Sequence, residues 1–279
     1  MAMTEIKSLL LHLDAGPLGP RLAVAHRLAR DHGASLEVLY AVMPLVMQYP
    51  FALDASGLAA GELAQCQNDA CSAAKAGFER ECAALGLSGV AWRESAEDPV
   101  RGLRHDAWAA DLVVLCQRDP REAAITGVPP DFVASVLVES GKPGLVLPYI
   151  GSNPGFGQNV LVAWKPSPES ARAMTAALPM LERAGSVHLA CWDEAGTGPA
   201  DVAGPALRFL RRHGITATVH QGGTPTPDLG ERLLSLAADL QSDLLVMGCY
   251  GHGRAREWAL GGVTRTVLQS MTVPVLMVH

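Results

Sequence analysis

The residues best placed to do chemistry lie in one stretch, Asp243-Leu-Leu-Val-Met-Gly248-Cys-Tyr-Gly251-His-Gly253-Arg254, with nine residues separating Gly251 from Gly261-Gly262-Val263-Thr264. An apolar run ends at Gly248, so the first two glycines fall where the chain leaves a strand. Without side chains there, a ligand reaches main-chain N–H groups directly. Gly261 and Gly262 open a helical pattern, whose first N–H groups and dipole favour an anion. Arg254, Arg256 and Arg265 lie in or just after the loop and have the charge to neutralise phosphate. Thr264 offers a hydroxyl, and His252 is either a phosphate contact or an exposed loop residue. A bare G-x-x-G is usually only a turn. Strand, spacing, second glycine pair and helix together are far more specific.

Such a loop needs a frame, and the chain repeats one. Each half starts with a short apolar run, Ser8–Leu13 and Val160–Trp164, then a Pro-bearing turn, a helical pattern (Pro20–His32 and Glu169–Ala184) and a second run (Leu36–Val42 and Val187–Trp192). Each later shows an Asp heading a continuous apolar strand, Asp111-Leu-Val-Val-Leu and Asp243-Leu-Leu-Val-Met, and closes on a Pro-bearing strand, Lys142–Pro148 and Thr272–Val278. Continuous apolar strands between amphipathic helices imply an α/β fold with a parallel sheet covered on both faces. In such sheets ligands bind beyond the carboxyl ends of the strands. The turn-rich segment 151–158 joins the halves, giving expected domains at 1–150 and 159–279. The second helix differs between them: Leu58–Leu85 is long, and Asp201–His213 is short with Gly204-Pro205 near its start.

Composition narrows the function. The 279 residues carry 22 Lys+Arg against 28 Asp+Glu, a net charge of -6, which gives no basic footprint for nucleic acid. Residues 1–150 hold 12 basic and 18 acidic residues, whereas 151–279 hold 10 of each, so the second half is the better host for a polyanion. No apolar run is long enough to span a membrane, and the N-terminus does not read as a signal peptide. Six cysteines without a C-x-x-C pair read as reduced, mostly buried thiols in a cytoplasmic protein. Cys66, Cys71 and Cys82 have the wrong spacing for a metal site on one helix face, and no metal is expected.

The glycine pattern Gly248-x2-Gly251-x9-Gly261, with Thr272-Val-Pro-Val-Leu276 as a closing strand, resembles the universal stress protein family, and the whole chain resembles a tandem member. The resemblance implies two tandem domains, each an open five-stranded parallel sheet of order 3-2-1-4-5 flanked by helices. It implies an intrachain pseudo-dimer through the last strands, with further homodimerisation left open. It further implies ATP or AMP as the ligand of the second half. The expected contacts are Met247, Gly248, Gly251, Gly253, Arg254, Gly261, Gly262, Val263 and Thr264, mainly through the backbone.

Departures from the family pattern are specific. Binding members carry Ser or Thr after the third glycine, where this chain has Gly262, so a hydroxyl contact to phosphate is absent. They also carry Asp at the end of the first strand, where the second half has Lys165 beside Trp164, and that indole is placed to fill a base's space. The first half retains Asp14 but has Cys116 and Asp119 in place of the paired glycines, and a shorter loop to Gly127-Val128. A carboxylate at Asp119 opposes phosphate, so the first half reads as having lost nucleotide binding.

Other constellations carry less. Ser140-Gly141-Lys142 lacks the upstream glycine of a P-loop, and neither H-E-x-x-H nor G-x-S-x-G occurs. His12 and Asp14 share one strand face and read as a structural pair. Trp92, Trp108, Trp164, Trp192 and Trp258 read as core or pocket lining. Three functions stay open. One is a stress-response binding or regulatory module for an adenine nucleotide. Another is a nucleotide-independent module for unknown protein partners. The third is a slow ATPase, for which Glu257 and Asp243 are the nearest carboxylates to the loop.

Overall fold

The computed structural model describes residues 5–48, 58–119, 121, 127–151, 153–192, 199–251 and 262–279. The chain divides into two compact units, Ile6–Ser140 and a second that includes Gly141–His279. Both are α/β. Among the described residues no helix is long and apolar enough to cross a membrane.

The first unit runs β1 (Ser8–Leu13), α1 (Gly19–His32), β2 (Ser35–Ala41), the short α2 (Leu45–Gln48), α3 (Leu58–Leu85), β3 (Ala91–Ser95), α4 (Pro99–Ala107), β4 (Leu112–Cys116) and α5 (Phe132–Ser140). Its strands are parallel and lie in the order β3-β2-β1-β4. Central β1 and β4 are buried almost throughout, as their continuous apolar runs require. Helix α1 ends on Gly33, whose φ of 63° lets its N–H return to the last turn. Helix α4 starts on Asp98, whose Oδ1 accepts from the N–H groups of Val100 and Arg101, with Pro99 at the first helical position.

The second unit holds β5 (Gly144–Leu147), β6 (Asn159–Trp164), α6 (Pro168–Leu181), β7 (Ser186–Cys191), α7 (Pro199–Arg212), β8 (Thr218–Gln221), α8 (Leu229–Asp239), β9 (Leu244–Gly248), α9 (Gly262–Ser270) and β10 (Val275–Val278). Five parallel strands lie in the order β8-β7-β6-β9-β10, which is the 3-2-1-4-5 order of a tandem repeat counted from β6. β5, the closing strand of the first repeat, joins this unit antiparallel to β10, with Leu145 opposite Leu276. The last strands of the two repeats therefore pair within one chain. Helix α7 starts earlier than the sequence pattern suggests and passes through Pro205.

One device recurs in both repeats. The Asp that heads each fourth strand accepts from the N–H groups that begin the first strand. Asp111 Oδ2 takes Lys7 N at 2.8 Å and Ser8 N at 3.0 Å. Asp243 takes Gly157 N at 2.9 Å, Gln158 N at 3.0 Å and Asn159 N at 3.0 Å. Backbone donors ahead of a strand have no ladder partner, and a carboxylate supplies several acceptors at once.

The aromatic residues divide. Trp164 is buried, and Trp92 packs against Tyr40 and Phe78. Trp108, expected in the core, is 55% exposed at the end of α4, because α4 stops one residue before it and turns the ring outward, under Arg104. Trp258 lies outside the described residues.

All six cysteines are free. The thiols are not mostly buried as expected: Cys191 and Cys249 are buried, Cys71, Cys82 and Cys116 half-buried and Cys66 exposed. Burial pushes the Cys249 thiol up to about 12 and the Cys116 thiol up to about 11. A thiol reagent at pH 8 is expected to modify Cys66 in the native protein and to reach Cys116, Cys191 and Cys249 only on unfolding. Peptide mass mapping of the labelled sites checks this, and rapid native labelling of Cys249 contradicts it.

Candidate functional site

The carboxyl ends of β6 and β9 are adjacent in the second unit, with Val162 paired to Val246 and Ala163 to Met247. Two helices begin just beyond them. α6 follows β6 after Lys165-Pro166-Ser167, where the Ser167 hydroxyl caps the helix by accepting from Ser170 N at 3.3 Å. α9 opens at Gly262. Both N-termini bring positive dipole ends to this end of the unit, but the first turn of α6 spends its N–H groups within itself, since Pro168 has none, Ser170 N donates to Ser167 and Glu169 N–H to its own carboxylate.

The chain leaves β9 through a sharp bend. Cys249 N donates to Val278 O at 2.9 Å and closes the strand pairing. Tyr250 then takes φ 55°, a left-handed conformation costly for a bulky side chain. Gly251 follows and is exposed. Met247 is buried, Gly262 exposed, Val263 half-buried and Thr264 buried in the first turn of α9. Thr264 is therefore turned into the fold. Gly253, Arg254, Arg256, Glu257 and Gly261 lie outside the described residues, as does His252.

The glycines at the bend have an internal reason to be glycine. A Cβ on Gly248 would lie 2.6 Å from Ser170 N and 2.7 Å from the Glu169 carbonyl carbon, so the first turn of α6 rests on the bare strand end. A Cβ on Gly251 would lie 2.6 Å from Glu169 Oε2. Gly262 differs: no described atom lies within 4 Å of its Cβ direction.

Glu169 is the residue that sequence reasoning missed. Its Oε1 accepts from Arg172 Nη2 at 3.2 Å, while its buried Oε2 has no hydrogen-bond partner among the described residues and faces Gly251. Burial alone would raise its pKa. Hydrogen bonds from its own N–H and the Ser167 hydroxyl, with the Arg172 charge, outweigh that and hold it below the usual carboxylate range. A carboxylate thus stands ionised beside the glycine bend. The only signal in the sequence was an acidic residue in the first turn of a helix, which is ordinarily just a dipole contact.

Two expectations are corrected here. Trp164 does not fill the strand-end space. Its indole lies against α7 and donates from Nε1 to Val202 O at 2.8 Å, because its strand position turns it onto the sheet face that the helix covers. Asp243 is no neighbour of the bend at Gly248 and Gly251: it sits at the opposite end of β9, committed to the three N–H groups described above.

In the first unit the matching end of the sheet is filled by its own side chains. Asp14 Oδ1 accepts from Arg21 Nη1 at 2.6 Å and from Gly16 N at 2.9 Å. The Arg21 guanidinium also hydrogen-bonds Cys116. Asp119 is paired with Arg121 at 2.9 Å. Gly127 opens no helix: it has φ 67°, its carbonyl accepts from Met43 N at 2.6 Å, and α5 starts five residues later. His12 and Asp14 do not bond each other. His12 Nε2 meets Ala41 O at 2.9 Å, and its ring packs on Phe132 at 4.4 Å. Among the described residues no three His, Cys, Asp or Glu side chains gather as a metal site.

Comparison with known proteins agrees with this architecture. The model of the universal stress protein family matches residues 157–279. A universal stress protein from Archaeoglobus fulgidus DSM 4304 is similar with a TM-score of 0.71 at 17% identity, over 98% of this chain and 96% of that one. A functionally unknown protein from Pseudomonas aeruginosa PAO1 is similar with a TM-score of 0.63 at 17% identity, over 98% of this chain and 92% of that one. No curated protein matches the sequence.

Proposed function

From the match of residues 157–279 to the universal stress protein family, we propose that this chain is a tandem protein of that kind, a binding or regulatory module whose second repeat takes an adenine nucleotide, ATP or AMP. Residues Met247, Gly248, Gly251, Gly262, Val263 and Thr264 hold the ligand through main-chain groups. Gly253, Arg254 and Gly261, which lie outside the described residues, complete the proposed set. The observation that carries this reading is Gly262. It is exposed, opens α9 and has no described atom within 4 Å of its Cβ direction, and the first N–H groups of a helix have no partner within the helix, which supports an anion there. The first repeat, filled by Asp14 and Arg21, contributes no second nucleotide site.

Titration calorimetry of the full chain with ATP, ADP and AMP tests the reading. Gly262→Asp places a carboxylate where phosphate would sit, and is expected to weaken binding roughly tenfold or more. It leaves the fold intact, because an acidic group suits a helix N-terminus. Gly262→Ser supplies a hydroxyl and is expected to tighten binding severalfold. The absence of heat at millimolar nucleotide, with folded protein, removes the assignment.

The second reading is a nucleotide-independent interaction module, favoured by the ionised Glu169 beside Gly251. It predicts a protein partner whose capture is unchanged by Gly262→Asp.

A further inference from the structure

Outside the strand-end site the second unit carries a second cluster of donor atoms. His188 on β7 and His220 on β8 approach across the sheet, with His188 Nδ1 2.9 Å from His220 Nε2 and ring centroids 5.0 Å apart. Their strands are parallel neighbours in which His188 pairs with Thr218 and Ala190 with His220. The two imidazoles are thus diagonal on one sheet face, and the small Ala190 beside His220 leaves room for the contact. Both rings are half-buried. Arg232, the cation nearest along the chain past β8, is tethered two residues beyond His220, donating to Gly222 O at 3.0 Å and to Thr226 Oγ1 at 3.2 Å.

We propose that His188 and His220 form a two-imidazole site for a late first-row divalent cation of tetragonal preference, Cu2+ or Ni2+. Two nitrogens 2.9 Å apart, each about 2.0–2.1 Å from one metal ion, subtend about 90° at it. That angle suits square-planar or tetragonal coordination, whereas a tetrahedral ion needs the nitrogens about 3.3 Å apart. In the metal-free pair one ring donates an N–H and the other accepts. When the ion binds, the donating ring moves that proton to its outer nitrogen, and both inner lone pairs turn to the metal with no net proton release. Burial, and then the neighbouring His220, lower the pKa of His188, so it is a neutral ligand at pH 7. The remaining coordination positions open to solvent and hold water or an exchangeable small ligand.

The test is Cu2+ titration of the full chain against a weak competing chelator, with electron paramagnetic resonance of the one-equivalent complex. The wild type is expected to show two coordinated imidazole nitrogens. His188→Asn and His220→Asn should each weaken the site at least tenfold, and the double variant should lose one equivalent of bound Cu2+. Should either variant fold poorly by circular dichroism, wild-type footprinting with diethyl pyrocarbonate replaces it, with Cu2+ expected to protect His188 and His220 together. Unchanged stoichiometry in a folded double variant, a single coordinated nitrogen, or no joint protection overturns the proposal.

Discussion

Gly248→Ala is expected to destabilise the second unit by about 2–4 kcal/mol, although the change adds a single methyl group. The added carbon would meet main-chain atoms, Ser170 N at 2.6 Å and the Glu169 carbonyl carbon at 2.7 Å. A flexible side chain could swing away, but a helix backbone moves only as a body. Relief therefore lifts the first turn of α6 from the sheet or bends β9. The first loosens the Ser167 cap, worth about 1 kcal/mol, and disturbs the packing of Ala173, Met174 and Ala177. The second disturbs a strand buried along its first four residues. Urea unfolding followed by circular dichroism measures the loss. Gly262→Ala is the control and is expected to be neutral or to stabilise by about 0.5–1 kcal/mol, since it adds a better helix former where no described atom lies within 4 Å. Equal midpoints for Gly248→Ala and the wild type would show that α6 does not rest on β9 as described. Substitutions at Gly248 therefore report on folding first, and Gly262 is the position at which to probe the proposed nucleotide binding.

Asp14→Ala is expected to cost the first unit about 3–5 kcal/mol, because it leaves the Arg21 guanidinium buried and unpaired. The Arg21 side chain is only 12% exposed, and Asp14 Oδ1 is its carboxylate partner at 2.6 Å. Replacing both residues with apolar ones of similar volume, Asp14→Leu with Arg21→Met, should recover much of the loss, and a double-mutant cycle separates the pair from the penalty of an orphaned charge. The pH dependence has a defined sign. Burial alone would raise the Asp14 pKa, but the Arg21 charge, then His12 and the Gly16 N–H, hold it below the ordinary carboxylate value. The folded state thus binds the proton less readily than the unfolded one. The stabilisation is complete above the unfolded carboxylate pKa and is lost as pH falls through the lower folded value. Unfolding free energy measured between pH 7 and pH 3 should fall more steeply in the wild type than in Asp14→Ala, and parallel curves would remove Asp14 from that role.

Much of this protein follows from local pattern alone. Continuous apolar runs such as Asp111–Leu115 and Asp243–Met247 are readable as buried parallel strands because burial on both faces leaves no place for polar residues. The repeat, the order of elements and the opening of α9 at Gly262 are likewise legible, since strand and helix periods and glycine spacing are properties of neighbouring residues. Side-chain partners are not. Asp243 looked like a carboxylate near the loop until the fold brought it to backbone N–H groups 84 to 86 residues away in the chain, at the amino end of the sheet. Glu169 looked like an ordinary first-turn acid until α6 packed against Gly248 and brought its carboxylate to Gly251. His188 and His220, 32 residues apart, meet only because β7 and β8 align in one register. The sequence by itself determined which segments are strands and helices and where bare backbone would be exposed, because chain chemistry acts on near neighbours. Only the tertiary structure decided which charge faces which glycine and which imidazoles touch, because those distances are set by the order and register of strands far apart in the chain.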